Sequence, residues 1–230
     1  SGAMFTTEVK RGLIDHVPEL AIADVLGSTE GGMGQSIMTK DTPPSETAKF
    51  TLLPVAKVLL PDGSREVVPG SGEVGMVAQG GMVPLGYYKD PEKSAKTFKE
   101  IDGTRYAFIG DMATIDADGT INLLGRGSNC INTGGEKVFP EEVEEALKLH
   151  PDVADALVFG LEDERFGNRV AGVVSLEQGG TAEAGDILEA TRKLLASYKL
   201  PKDLLVVPVV PRAPNGKADY KTAKSMMGDN

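Results

Sequence analysis

The chain has 230 residues, and its 24 Lys and Arg against 34 Asp and Glu give a formal net charge of −10 at pH 7. An acidic chain with 5% aromatic residues and no Trp lacks the basic face and the stacking rings that nucleic acids require, which excludes that class of partner. One Cys and two His exclude an internal disulfide framework and a zinc cluster. No run approaches the roughly 18 apolar residues of a membrane span. We therefore expect a cytoplasmic protein, with peripheral membrane contact and oligomeric state left open.

Short strands and turns dominate the pattern up to residue 126. Apolar residues at helical spacing predict a helix over residues 8–18, and an apolar run predicts a short buried strand over residues 20–26. A polar stretch at residues 35–47 contains Pro43-Pro44 and predicts a loop that ends one unit. Later alternating runs predict the hairpins of a small antiparallel β region, at residues 55–60, 73–79, 113–116 and 120–124.

Capping residues and prolines mark three further helices. Asp90-Pro91 predicts a helix that runs to about residue 98, and Phe139-Pro140 predicts one with glutamates in its first two turns. Asp186 and Glu189 form a capping-box pattern ahead of a helix that extends to Tyr198. Together with predicted strands at residues 153–159, 170–176 and 204–210, these helices indicate a compact α+β unit after residue 126.

A glycine-rich segment follows the first predicted strand. In Gly27-Ser28-Thr29-Glu30-Gly31-Gly32, backbone N–H groups, two hydroxyls and one carboxylate converge at the carboxyl end of a strand. Phosphates and magnesium bind groups of these kinds. An ordinary turn with a solvated Glu30 explains the same six residues, and on their own they favour that alternative.

A carboxylate and a guanidinium lie at either end of two consecutive predicted strands, as Gly110-Asp111 and Gly125-Arg126. A ribose diol is matched by such a pair, because the carboxylate accepts from both hydroxyls and the guanidinium donates. The alternative is a turn aspartate with a surface arginine.

The run Thr133-Gly134-Gly135-Glu136-Lys137 leads through Val138 and Phe139 into the helix that Pro140 opens. Two glycines allow a backbone to approach a ligand closely. The alternative is a strand-to-helix connection with a solvated acidic face, which explains the glutamates but does not need both glycines.

A basic segment closes the chain. Residues 211–219 combine a proline-rigidified lead-in with an Asn-Gly turn that presents Lys217 at its exit. Residues 192–224 hold eight basic and two acidic residues, a local charge of +6 that favours an anionic ligand, although a basic tail explains it equally well. Cys130 has no nearby His to act as its base, so we leave it and the two histidines out of the site.

Taken together and in this order, these four segments resemble the adenylate-forming superfamily, and within it the acyl-CoA synthetases (fatty-acid CoA ligases). The Gly-Glu-Lys-Val-Phe-Pro-Glu-Glu-Val-Glu form at residues 135–144 is similar to CoA ligases more than to peptide-synthetase adenylation domains. The resemblance implies two steps: a carboxylate attacks the α-phosphate of Mg-ATP to give acyl-AMP and pyrophosphate, and the thiol of CoA then displaces AMP. ATP, Mg²⁺ and CoA are thus the implied small-molecule partners.

The resemblance also implies residue roles in the first step. Gly27-Ser28-Thr29 would contact phosphate, and Glu30 would be catalytic by holding magnesium. Asp111 would bind both ribose hydroxyls, and Arg126 would contact the ribose. Lys217 would be the catalytic lysine of adenylation, because a mobile ammonium between carboxylate and α-phosphate offsets their repulsion.

For the second step, the resemblance implies that Gly134, Gly135 and Lys137 line the path of CoA. It places a hinge at Ser128, about which the unit after Arg126 rotates between steps. Ser128 departs from the family's usual hinge residue.

The expected architecture is α+β. Residues 1–4 are expected to be a cloning remnant, residues 5–126 the end of a large α/β ATP-binding domain with its antiparallel β-barrel part, and residues 127–230 a mobile α+β C-terminal domain. We expect a carboxyl-terminal fragment that is inactive alone, because the family's upstream phosphate loop is missing. Two alternatives stay open: a non-catalytic ligase-like binding module, and an adenylating enzyme that loads a carrier protein.

Overall fold

The computed structural model describes residues 7–42 and 47–228, so the predicted cloning remnant and the Pro43-Pro44 pair lie outside the described residues. Residue contacts divide the chain into two compact units, and the boundary along the sequence lies between Arg126 and Gly127. Both units combine antiparallel strands with short helices, and the predicted α+β class is confirmed. No helix among the described residues is long and apolar enough to cross a membrane.

The first unit is built on an eight-stranded sheet with the order β1-β2-β3-β8-β7-β5-β4, and β6 pairs with β7. Every pairing in it is antiparallel. Its elements in chain order are α1 (Thr7–His16), β1 (Ile22–Ser28), β2 (Gly31–Met38), β3 (Lys49–Leu52), β4 (Ala56–Leu59), β5 (Gly75–Gln79), α2 (Pro91–Thr97), β6 (Phe98–Ile101), β7 (Thr104–Ile115) and β8 (Ile121–Arg126).

The core of this unit is formed by alternate residues of neighbouring strands. Met33, Val58, Val77 and Ile121 are each fully buried in one cluster. Leu59 and Ala78, the chain neighbours of Val58 and Val77, belong to a second cluster with Tyr106 and Phe108, so side chains on both faces of this part of the sheet are buried. The core thereby fixes the register of the strands that carry the candidate site.

One prediction for the first unit is wrong, and one strand in it was not predicted. The polar stretch at residues 35–47 does not end a unit, because β2 continues to Met38 with Gln35 and Ile37 on its exposed side. Residues 98–101 form the strand β6, which the sequence did not indicate. Asp102 and Gly103 both have positive φ, so the chain turns from β6 directly into β7.

The second unit has a five-stranded sheet with the order β10-β9-β12-β11, and β13 pairs in parallel with β12. Its elements are β9 (Ile131–Thr133), β10 (Glu136–Val138), α3 (Pro140–Lys148), β11 (Val153–Asp163), β12 (Gly167–Leu176), α4 (Ala184–Thr191), β13 (Asp203–Val206) and α5 (Tyr220–Met226).

Both faces of this second sheet are covered. Val158 of β11 belongs to the cluster that contains Val143 of α3 and Ile187 of α4. The next residue, Phe159, belongs to a separate cluster with Ala223 of α5. Successive strand residues point to opposite faces, so α3 and α4 pack on one side and α5 on the other.

The helix expected to start from Asp186 and Glu189 begins earlier and ends earlier. Its capping box is formed by Glu183 and Asp186, and the helix stops at Thr191. Tyr198 lies in a separate 3₁₀ turn. Helix α5 was not expected from the sequence, although the Asp219 side chain caps it by accepting from the Thr222 backbone N–H at 3.1 Å.

Candidate active-site residues

Glu30 lies at the tip of the hairpin that joins β1 to β2. Gly27 pairs with Gly32 and Ser28 with Gly31, so Thr29 and Glu30 form a two-residue turn rather than the open glycine-rich loop that the sequence suggested. Part of the backbone therefore pairs across the hairpin instead of facing a ligand. The Ser28 hydroxyl accepts from the Glu30 backbone N–H at 3.1 Å, and the exposed Thr29 hydroxyl faces solvent beside it.

The Glu30 carboxylate accepts a short hydrogen bond from the hydroxyl of Tyr87, which precedes α2. This bond, with smaller contributions from Ser28 and from the charge of Lys93, lowers the pKa of Glu30 although partial burial acts to raise it. The same bond raises the pKa of the Tyr87 phenol. Across the physiological pH range, Glu30 is therefore an ionised carboxylate, and the Tyr87 phenol is its hydrogen-bond donor.

Asp111 on β7 and Arg126 on β8 are directly opposite each other in the antiparallel register. Arg126 Nε lies 3.1 Å from Asp111 Oδ1, and the side chains are 55% and 14% exposed respectively. Burial raises the pKa of Asp111, while the guanidinium of Arg126 acts to lower it. The pair thus presents a buried acceptor beside an accessible donor.

Glu30 and Asp111 belong to one electrostatic cluster, because the negative charge of Glu30 also contributes to the raised pKa of Asp111. No group of three or more His, Cys, Asp or Glu residues among those described could hold a metal ion by itself. Mg²⁺ is usually bound by one or two carboxylates together with substrate phosphates and waters, so Glu30 with the hydroxyls of Ser28 and Thr29 fits such an ion.

Leu26, which stands where the family usually has an aromatic residue, is 7% exposed and packs in the core with Met33. It offers no ring to a base. Ile109, in place of the family's small hydroxyl residue before Asp111, packs against the same core.

Gly134 and Gly135 are the two central residues of the turn between β9 and β10. Their φ angles are +59° and +91°, the positive values of a type I′ hairpin turn. A Cβ on Gly134 would lie 3.2 Å from the ring of Phe166, whereas a Cβ on Gly135 would meet nothing within 4 Å. Lys137 is exposed on β10, one residue past this turn. The turn geometry alone accounts for both glycines without a ligand, contrary to the sequence argument.

Lys217 projects from a turn that is closed by backbone bonds. Ala213 N–H donates to the Lys217 carbonyl at 2.8 Å, and Lys217 N–H donates to Asn215 Oδ1 at 3.2 Å. The Lys217 side chain is exposed, and its ammonium makes no hydrogen bond or ion pair within the described residues. It is free to approach an anion.

Both ends of the Lys217 segment are braced. Arg212 donates from Nε and Nη2 to the two oxygens of Asp155 at 2.9 and 2.7 Å, which ties the start of the segment to β11. Asp219 N–H donates to the Pro211 carbonyl at 3.2 Å and closes the other end. Sequence reasoning missed this brace, because Asp155 is separated from Arg212 by 57 residues.

Ser128 lies in the 3₁₀ turn Gly127–Asn129 that begins the second unit. It is exposed, and its hydroxyl lies 3.4 Å from Asn129 Oδ1. Most of the predicted residues thus lie on turns or exposed strand positions, whereas Asp111 lies within β7 and its side chain is mostly buried. The structure brings Glu30, Asp111 and Arg126 together within the first unit.

Comparison with known proteins supplies the family. Residues 142–217 match the model of the AMP-binding enzyme C-terminal domain. The 3-oxocholest-4-en-26-oate–CoA ligase of Rhodococcus rhodochrous is 45% identical over 231 aligned residues, which cover 99% of this chain and 41% of the relative. The medium-chain acyl-CoA ligase Mig of Mycobacterium avium is 46% identical over 224 residues, 97% of this chain and 40% of the relative.

Among solved structures, the crystal structure of ATP-bound MatB from Rhodopseudomonas palustris matches with a TM-score of 0.82 and 27% identity, covering 99% of this chain and 44% of that one. The chain therefore spans about two fifths of the length of the curated relatives it matches. The agreement of the domain model, the two ligases and the fold leads to one assignment: the chain belongs to the adenylate-forming acyl-CoA synthetases and contains their C-terminal domain.

Proposed function

We propose that this chain is part of an AMP-forming acyl-CoA synthetase, an acid–thiol ligase that activates a carboxylic acid with ATP and transfers the acyl group to CoA. The observation that carries the proposal is the pairing of Asp111 on β7 with Arg126 on β8, and the charge of Glu30 also acts on Asp111. The names of the relatives support a fatty or sterol-derived acid as substrate.

In the first step, Asp111 accepts hydrogen bonds from the ribose hydroxyls, and the exposed part of Arg126 donates to the ribose or to a neighbouring phosphate oxygen. The raised pKa of Asp111 follows from the burial that excludes water around this acceptor. Ser28 and Thr29 donate to phosphate oxygens from the hairpin tip. The second oxygen of the Glu30 carboxylate would hold Mg²⁺, and bound Mg²⁺ would neutralise phosphate charge.

Lys217 brings an unpaired ammonium to the reacting carboxylate and α-phosphate. Its charge offsets the repulsion between these anions and the charge that develops as the carboxylate attacks. In the second step, Gly134 and Gly135 leave the path of the pantetheine arm open, and the exposed Lys137 attracts the phosphates of CoA. Ser128 is proposed as the hinge between the two units.

The test separates the two half-reactions in a longer chain that carries these residues. Lys217→Ala is expected to slow fatty-acid-dependent pyrophosphate exchange by about 10²-fold, as the loss of one preorganised charge does, and to leave thioester formation from supplied acyl-AMP unchanged. Lys221→Ala, which removes a lysine four residues away, is the matched control and should affect neither step. Equal losses in both steps for Lys217→Ala would contradict the proposal.

A further inference from the structure

Tyr87 connects the hairpin tip to a part of the sheet that is remote in sequence. Its hydroxyl donates to Glu30, which is 57 residues earlier in the chain. The Tyr87 ring packs against Phe98 with centroids 5.4 Å apart, and Lys93 Nζ lies 4.1 Å from the ring centroid. The Tyr87 backbone N–H donates to Ser94 Oγ at 2.8 Å. Backbone, ring and hydroxyl are therefore each fixed by a different partner.

The hairpin tip is also supported from below. A Cβ on Gly31 would lie 2.8 Å from Cγ of Gln79, so the turn rests directly on this side chain. Gln79 is 6% exposed, and its Nε2 donates to the Gly80 carbonyl at 3.0 Å. This support fixes the backbone of the tip, but it leaves the direction of the Glu30 carboxylate to be set by another group.

We propose that Tyr87 is the positioning residue that aims the Glu30 carboxylate for the metal–nucleotide complex. A glutamate on a two-residue turn samples several rotamers in solvent, and a cation must select one of them. The phenol holds one carboxylate oxygen and leaves the other free, which keeps Glu30 in the same electrostatic cluster as Asp111. This inference rests on the proposed function, because it assumes that Glu30 binds the cation.

The first experiment measures mobility in the 230-residue chain. Tyr87→Phe removes only the hydroxyl, and backbone ¹⁵N together with side-chain ¹³C relaxation should show lower order parameters for Glu30 without a fall in melting temperature. Tyr88→Phe is the matched control, because that ring is 89% exposed and lies over Lys89 alone among the described contacts. Unchanged Glu30 side-chain order parameters in Tyr87→Phe would overturn the inference.

The second experiment measures the Mg²⁺ dependence of adenylation in the longer chain. Tyr87→Phe should raise the Mg²⁺ concentration for half-maximal rate by roughly tenfold, the effect of one hydrogen bond to a charged group, while the kcat at saturating Mg²⁺ stays within about twofold. Tyr88→Phe should leave both values unchanged. A loss of kcat alone would overturn the positioning role.

The variant Glu30→Gln distinguishes metal binding by Glu30 from positioning of Glu30 by Tyr87. If Glu30→Gln raises the Mg²⁺ requirement and Tyr87→Phe does not, the positioning role fails and the proposed function stands. If Glu30→Gln leaves the Mg²⁺ requirement unchanged, the assignment of Glu30 to the metal fails, and the inference about Tyr87 falls with it.

Discussion

The buried carboxyl of Glu144 should make the stability of the second unit depend on pH. Glu144 lies on α3, is 9% exposed, and accepts from the Val158 backbone N–H at 2.9 Å. Burial raises its pKa from 4.5 to about 7, with a further rise from Glu141, while the Val158 bond and the charges of Lys148 and Arg212 act to lower it.

The magnitude follows from linkage. The folded unit keeps the Glu144 proton up to about pH 7, whereas the unfolded chain releases it near pH 4.5. Between these values the folded state binds more protons, so the contribution of Glu144 is fully present below pH 4.5 and is lost as the pH rises through 7. A shift of this size corresponds to about 3 kcal/mol at pH 8.

Glu144→Gln removes the ionisation and keeps an oxygen that can accept from Val158. We expect its free energy of unfolding to be nearly constant between pH 5 and 8, and to exceed that of the wild-type unit by up to about 3 kcal/mol at pH 8. Hydrogen exchange at the Val158 amide reports the second unit specifically, because this amide lies on β11. Glu189→Gln on α4, whose side chain is 66% exposed, is the control.

A ¹³C titration midpoint of Glu144 near the ordinary carboxyl value would refute the raised pKa. Parallel pH profiles of Val158 exchange in the wild type, Glu144→Gln and Glu189→Gln would refute the role of Glu144, since the pH dependence would then come from other groups.

Two further predictions concern a brace and a core residue. Arg212→Lys should lose one of the two bonds to Asp155 and destabilise the Lys217 segment by about 1 kcal/mol, seen as faster amide exchange at Ala213, and unchanged exchange there would contradict the bracing role. Met33→Ala should destabilise the first unit by roughly 2–5 kcal/mol, because Met33 is 0% exposed. An unchanged melting temperature of the first unit would contradict this prediction.

The sequence predicted those helices and strands whose ends are marked by capping residues, prolines or turn residues. Asp90 caps α2 through its bond to the Lys93 N–H, as expected from Asp90-Pro91. The strands next to Asp62-Gly63 and Asp118-Gly119 were placed within a few residues at those turns, but β7 begins at Thr104, well before the predicted run at residues 113–116. The early end of α4 was missed since the apolar spacing continues past Thr191 while the chain leaves the helix. Leu195 still packs against the cluster that contains Ile187, so its apolar spacing reflects burial outside the helix.

In the candidate site, the sequence predicted residues on neighbouring strands but not partners that are remote in the chain. β7 begins at Thr104, so Asp111 lies within that strand and not at its end as the sequence suggested, and the antiparallel register places it opposite Arg126. The sequence did not indicate Tyr87, because nothing in its own neighbourhood predicts a bond to Glu30 across 57 residues. Partners remote in sequence, such as Asp155 and Arg212, carry no local pattern and require the fold.

The sequence and the fold give different reasons for Gly134 and Gly135, either passage of CoA or the hairpin turn, and an experiment is needed to distinguish these two roles. Both glycines have positive φ, so the hairpin explains them without any ligand. Gly135→Asn is the informative change, because Asn tolerates positive φ and a side chain at this position meets open space. If the bare turn lines the path of CoA, Gly135→Asn in the longer chain should slow thioester formation from acyl-AMP at least tenfold while the melting temperature stays within a few degrees. Gly135→Val, which strains the same φ, should instead lower the melting temperature as well. A fully active Gly135→Asn would show that the two glycines serve the turn and not the transfer step.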